Sequence, residues 1–372
     1  MGRTRASPAG SLCSLFTGMD VMNTATEEQP SYPLRAVPGF YGNHPGIQVG
    51  ASVSDKTSDE ELQLLQQLDV QWAMYGVNDA ELHTVEYYKK CQQRLAEYGM
   101  QIYRIANHGV HNVPEITLNL PGRDQKIEEF IDFIRNLAAA GIRYNTYAHM
   151  GNGIWSSGHT TGRGGVTARV LDIANAEGRW SGEKYTGELT HGRQYSEEEI
   201  WDNYEYMIRK IAPVAESEGV YIGIHPDDPP VYALGGIPRC VFGNFAGYKR
   251  ALEIADSPNI GVCLCIGCWL EGGAEGMGVD VIEAIRYFGG INKLFKVHFR
   301  NVSNPMPAAW QETFMDDGYQ DMHQVMQALR EVAFDGAIIA DHIPKMVGGS
   351  NTGLAYSIAY MRALVQAVNG ER

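Results

Sequence analysis

Eight short apolar runs recur along the chain, and after each of them apolar residues fall at helical spacing. Strand-like runs that give way to a 3.6-residue period, again and again, are what a parallel sheet with crossover helices requires. The runs are Ile47 to Gly50, Val70 to Tyr75, Gln101 to Ala106, Arg143 to His149, Val220 to Ile224, Ile260 to Cys265, Lys293 to His298 and Ala337 to Ala340. Helices are expected over 59–68 with Ser58 as N-cap, 83–98 closed by Gly99, 125–140 stopped by Gly141, 197–218, 246–255, 279–287, 320–333 and 353–368. Eight such units in one chain predict an α/β fold, a (β/α)8 TIM barrel. A doubly wound open sheet is the other arrangement, but no Gly-x-Gly-x-x-Gly follows the first run.

Two stretches interrupt the period. Residues 150–195, rich in Gly, Ser and Thr, and residues 226–245 are too long for ordinary βα connections. They read as loop insertions over the C-terminal mouth of the barrel. Residues 1–35 carry Arg3, Arg5 and a short apolar segment closely followed by Asp20. A disordered leader, or a start at Met19 or Met22, is expected there rather than a secretory signal, and the barrel is expected over 36–372.

The chain has 372 residues, 44% of them hydrophobic, enough for one large core. With 30 Lys+Arg against 44 Asp+Glu, its formal charge of −14 disfavours nucleic acid and anionic membranes as partners. No apolar run approaches membrane-spanning length. A small-molecule substrate is the remaining expectation. Six cysteines, three of them at 263, 265 and 268, suit free thiols or a thiolate ligand in a reducing, cytoplasmic setting.

The last four runs end on chemistry. His225, Cys265, His298 and Asp341 close successive strands, 40, 33 and 43 residues apart. Strand ends of a barrel meet at one mouth, so the four are expected to converge. Two imidazoles, a thiolate and a carboxylate suit Mn(II), Fe(II), Co(II) or Zn(II) better than Mg(II) or Ca(II). Taken singly, each has a bland reading as a structural or core residue; agreement in register lifts the set. Cys263 shares the strand face of Cys265 one layer deeper and reads as barrel filling. Arg300 and Asn301 follow His298, and Arg300 has two readings, a clamp for a substrate carboxylate or a partner of Asp227 or Asp228. Asp227 and Asp228 themselves could orient His225 or cap their loop. His342 follows Asp341, where a general acid or base would stand. His108, His111, His149 and Arg104 lie near the ends of earlier strands and are further candidates to line the mouth.

The strings GIHPDDPP (223–230), LGGIPR (234–239), Cys265-Ile266-Gly267, VHFRNV (297–302), DGYQDM (317–322) and Asp341-His342 together resemble D-mannonate dehydratases of the UxuA type. NLAAAGI (136–142) and IAYMRAL (358–364) are similar as well, so the resemblance spans most of 46–368. It implies a xylose-isomerase-like barrel holding Mn(II) through His225, Cys265, His298 and Asp341. The implied reaction is loss of water from D-mannonate to give 2-keto-3-deoxy-D-gluconate, a step of hexuronate breakdown. On that basis Arg300 and Asn301, with His108, His149 and Asp228, are expected to bind substrate, and His342, Asp341 and Arg300 to carry the chemistry. A homo-oligomer is also expected. The chain departs from the family after Asp341-His342, where Ile343-Pro344-Lys345-Met346 replaces the usual Gly-Arg and Tyr356 does not align with the family's tyrosine. A metal-dependent sugar isomerase or epimerase of the same superfamily is the alternative.

Overall fold

The computed structural model describes residues 46–370. The expected leader at 1–35 lies outside them. Eight parallel strands close into a barrel: β1 (Ile47–Ser54), β2 (Trp72–Val77), β3 (Gln101–Asn107), β4 (Tyr144–Tyr147), β5 (Tyr221–Ile224), β6 (Ile260–Cys265), β7 (Leu294–His298) and β8 (Gly336–Ile339). Sequential strands are neighbours, and β8 returns to β1 through Ile47 to Gly50 paired with Gly336 to Ile339. Each strand is covered outside by helices, which is why β6 and β7 are buried at every residue and read as unbroken apolar runs.

The helices begin and end where local chemistry directs them. Ser58 and Ser196 each form a capping box, with Glu61 and Glu199 reaching back to the cap, at Asp59–Gln67 and Glu197–Glu218. Gly219 ends the latter helix in the left-handed region at φ 63°. Inside the barrel, Trp72, Met74, Tyr103, Tyr144, Phe295, Ala337 and Ile339 pack into one cluster. The Tyr103 hydroxyl donates to the Phe295 carbonyl at 2.5 Å across it. Large rings fill the lower barrel.

The segment 150–195 folds as antiparallel ribbon. Thr167–Leu171 pairs with His159–Thr161 on one side and with Trp310–Thr313 on the other, and Trp310–Thr313 continues to Asn301–Val302. Residues 301–317, read from sequence as plain loop, thus carry two strands of this sheet. A bidentate contact of Arg163 with Asp316, at 2.9 and 3.0 Å, fastens the ribbon to that loop. Helix Ile266–Met277 follows β6 without a loop and has no counterpart in the sequence reading. Its glycines lower helix propensity and hid it, and Gly273 kinks it at φ 65°.

Candidate metal centre

At the mouth the four strand-end residues meet. One donor atom each from His225, Cys265, His298 and Asp341 lies within 4.8 Å of all the others. His225 Nε2 stands 3.2 Å from His298 Nδ1, which is 3.1 Å from Asp341 Oδ1, while Cys265 Sγ is 3.7 Å from Asp341 Oδ2. His225 Nδ1 lies 2.6 Å from the Pro226 carbonyl and donates to it, so the Nε2 lone pair faces the cluster. The parallel register of β6 and β7 sets Cys265 beside His298. Against burial, Cys268, Arg300 and His225 hold the Cys265 thiol well below its ordinary range. Against burial too, His298, His342 and Arg300 hold Asp341 low. A thiolate, a carboxylate and two imidazoles with donor atoms within 4.8 Å of one another fit a divalent transition metal.

Behind this cluster lies a fully buried charge network. Arg300 is 1% exposed; its Nη1 donates to Glu271 Oε1 at 2.7 Å and Glu312 Oε1 at 3.1 Å. Its Nη2 reaches Cys265 Sγ at 3.5 Å and Cys268 Sγ at 3.4 Å, and its Nε lies 3.4 Å from Asp341 Oδ2. Of its two expected roles, the guanidinium is thus placed as a partner of internal acids, Asp228 among them at 3.9 Å. Burial and Asp228 push the Glu271 carboxyl up to about 8. Its Oε2 is buried without a partner, while Oε1 accepts from Arg300. Gly267 is required beside it, because a Cβ there would meet Arg300 Nε at 2.3 Å. Asp228, Cys268 and Glu271 also offer three converging ligand atoms, but Arg300 already stands among them as the cation.

His342 faces the mouth, about a third exposed, with Nδ1 2.5 Å from Glu312 Oε1 and Nε2 3.9 Å from Asp341 Oδ2. Against the pull of burial, Asp341 and Glu312 raise it to about 9. Arg169, from the inserted ribbon, makes a bidentate pair with Asp228 and approaches Glu312 at 3.5 Å. His108 and His111 pack against Trp180 of the ribbon, both with ring centroids 5.0 Å away.

Other expected contacts are taken up by internal partners. The His149 ring packs among Tyr147, Tyr204 and Phe242, with Nδ1 2.7 Å from the Tyr147 hydroxyl, on the helix side of β4. Asn301 is 1% exposed, and its amide is spent on the carbonyls of Met315 and Gln320. Asp228 is the buried partner of Arg169. Four residues at the site, Arg169, Lys296, Glu271 and Glu312, were not singled out from sequence. Lys296 lies inside the barrel with Nζ 2.9 Å from His298 Nε2, beside Cys263 at 3.6 Å from the same atom. A lysine in the middle of the apolar run LFKVH was the available signal. Glu271 and Glu312 gave none, because the elements that carry them were not recognised.

The family model for D-mannonate dehydratase (UxuA) matches residues 59–372. Mannonate dehydratase 2 of Halalkalibacterium halodurans is 29% identical over 311 residues, covering 78% of this chain and 87% of that protein. The crystal structure of mannonate dehydratase from Streptococcus suis serotype 2 superposes with a TM-score of 0.74 at 27% identity, over 87% of this chain and 94% of that one. A D-tagatose 3-epimerase-like protein aligns with a TM-score of 0.56 at 15% identity, over 86% and 98% of the two chains, which speaks for the barrel alone.

Proposed function

The chain belongs to the D-mannonate dehydratase family, and from that premise we propose that His225, Cys265, His298 and Asp341 hold one divalent ion at the barrel mouth. The protein is a hydro-lyase that removes water from a sugar acid, D-mannonate, to give a 2-keto-3-deoxy acid. Mn(II) is the ion assigned, with Fe(II), Co(II) and Zn(II) accepted by the same mixed donor set. The convergence of the four donor atoms at adjacent strand ends is the observation that carries this reading. A thiolate ligand needs a reduced Cys265, which suits the cytoplasm. The expected homo-oligomer rests on the family resemblance alone.

In the elimination a base takes the proton from the carbon beside the carboxylate, and the C–H electron pair forms the new double bond. The neighbouring hydroxyl leaves with a proton as water, and the resulting enol tautomerises to the 2-keto-3-deoxy acid. A bound divalent ion supplies Lewis-acid stabilisation of the negative charge that builds on the substrate oxygens. Glu312 accepts from His342 Nδ1 and leaves Nε2 as the atom that exchanges a proton with substrate. Held through Nδ1 by Glu312, His342 is assigned the donor role, delivering a proton from Nε2 to the departing hydroxyl. Arg300 and Gly267 hold Cys265 and Asp341 in place from behind. The inserted ribbon brings Arg169 to lock Asp228.

Incubating the purified protein with Mn(II) and a panel of aldonates and ketoses, and following 2-keto-3-deoxy acids, tests the reaction. D-Mannonate is expected to be consumed with one keto acid formed per water lost. Turnover of a ketose with no aldonate reacting would replace this reading by the isomerase one.

A further inference from the structure

We propose that Arg104 is the residue that grips the carboxylate of the sugar acid, from the side of the mouth opposite the metal ligands. The inference rests on the dehydratase reading for its substrate. Among the described residues, Arg104, Arg169, Arg239 and Arg300 lie in or around the upper barrel, and the last three each donate hydrogen bonds to protein acceptors. Arg169 pairs with Asp228, Arg300 with Glu271 and Glu312, and Arg239 donates to the Gly153 carbonyl at 2.8 Å and Asn152 Oδ1 at 3.2 Å. Arg104 differs. Among the described residues it makes no ion pair and no hydrogen bond, and its Nε is buried without a partner.

The position is built into the barrel. Arg104 lies in β3, level with Met74 of β2 and Tyr144 of β4. It feels the charges of Cys263 and Asp341, and its own charge acts on His108, His111 and Lys296. Those groups belong to the mouth and the layer beneath it. Holding a cation in such a place without an anion costs free energy that folding alone does not recover. An anionic ligand recovers it, and a planar guanidinium fork matches a carboxylate in two parallel hydrogen bonds. A sugar acid laid across the mouth has its carboxylate end and its hydroxyls to satisfy, and Arg104 is the unspent cation that the former can reach.

Two variants test this, Arg104→Met and Arg104→Lys, in the full chain loaded with Mn(II). Equilibrium binding is measured for D-gluconate and for its neutral counterpart D-glucitol, neither requiring turnover. The wild type is expected to bind the acid more tightly. Arg104→Met should lose that preference, weakening acid binding about 10- to 100-fold, the worth of a hydrogen bond to a charged group. D-Glucitol binding and Mn(II) stoichiometry should not change. Arg104→Lys should fall between. Thermal melting of the ligand-free protein should hold or rise in Arg104→Met, because an uncompensated charge has been removed. A wild type that binds acid and alditol alike overturns the proposal, as does an Arg104→Met protein that keeps the preference or melts far below the wild type. These binding arms do not depend on D-mannonate being turned over, so failure of the dehydratase reading shows separately.

Discussion

Arg300 Nη1 donates to Glu271 Oε1 at 2.7 Å in a contact sealed from solvent, both side chains at most 1% exposed. The same guanidinium touches Glu312, Asp341 and the Cys265 sulfur, so one cation holds together the acids behind the metal centre. Removing it strands several carboxylates in a low-dielectric interior. Arg300→Met is therefore expected to cost about 3–5 kcal/mol in urea unfolding and to weaken metal binding as well. An arginine that only gripped substrate would leave unfolding unchanged and raise KM alone.

Gly267 makes that placement possible. A methyl group there would sit 2.3 Å from Arg300 Nε and 2.4 Å from its Cζ. Gly267→Ala forces the guanidinium or the start of helix Ile266–Met277 to shift, at a cost of about 1–3 kcal/mol. Because Cys265 is the N-cap of that helix, Mn(II) affinity should fall together with stability. A variant with unaltered unfolding and unaltered metal affinity would show that the contact is slack.

Glu312 and His342 form a carboxylate–imidazole dyad at 2.5 Å, with His342 Nε2 turned to the side of Asp341. His342→Gln should retain its metal and lose about 10²- to 10⁴-fold in kcat, the range for removal of a positioned proton donor. Glu312→Gln should lose less, since the imidazole remains while its second nitrogen is no longer held by a charge. Metal content and kcat measured on the same preparations check both. Loss of metal in His342→Gln would make His342 a ligand rather than a proton donor.

His149 is buried as the neutral imidazole, and burial lowers it to about 3. The unfolded chain takes up a proton near the ordinary histidine value while the folded one does not. Its effect on stability is therefore absent above about pH 6.5 and grows as pH falls from there towards 3. Between pH 6.5 and 5 this amounts to about 2 kcal/mol. His149→Gln should make the urea midpoint less sensitive to acid over that interval, while KM for the sugar acid stays as it was. An unchanged acid sensitivity would show that His149 is solvated, and a raised KM would return it to the substrate site.

The barrel was legible because its strands read as apolar runs, β6 and β7 being buried at every residue. β6 reads as Ile260 to Cys265 in sequence and is Ile260–Cys265 in the fold. The four strand-end donors were legible for the same reason, since strand register alone fixes where they meet. What escaped was whatever depends on contacts distant in sequence. Helix Ile266–Met277 carries glycines that argue against a helix, yet Gly267 is there to admit Arg300. Residues 301–317 held two short strands whose partner, Thr167–Leu171, lies far back in the chain. With that pairing unseen, Glu312 and Arg169 could not be brought to the site. His149 has a strand-end address but projects to the helix side, because alternation along β4 turns Tyr144 inward and Tyr147 outward to Phe130.

Equilibrium Mn(II) binding to the wild type and to His225→Ala, Cys265→Ala, His298→Ala and Asp341→Ala, with each protein checked for folding by circular dichroism, bears most directly on the central claim. One ion per chain is expected in the wild type, and each single substitution should weaken binding by at least about 10-fold and remove keto-acid formation. A folded variant of any of the four that still binds one Mn(II) per chain with wild-type affinity would contradict the account.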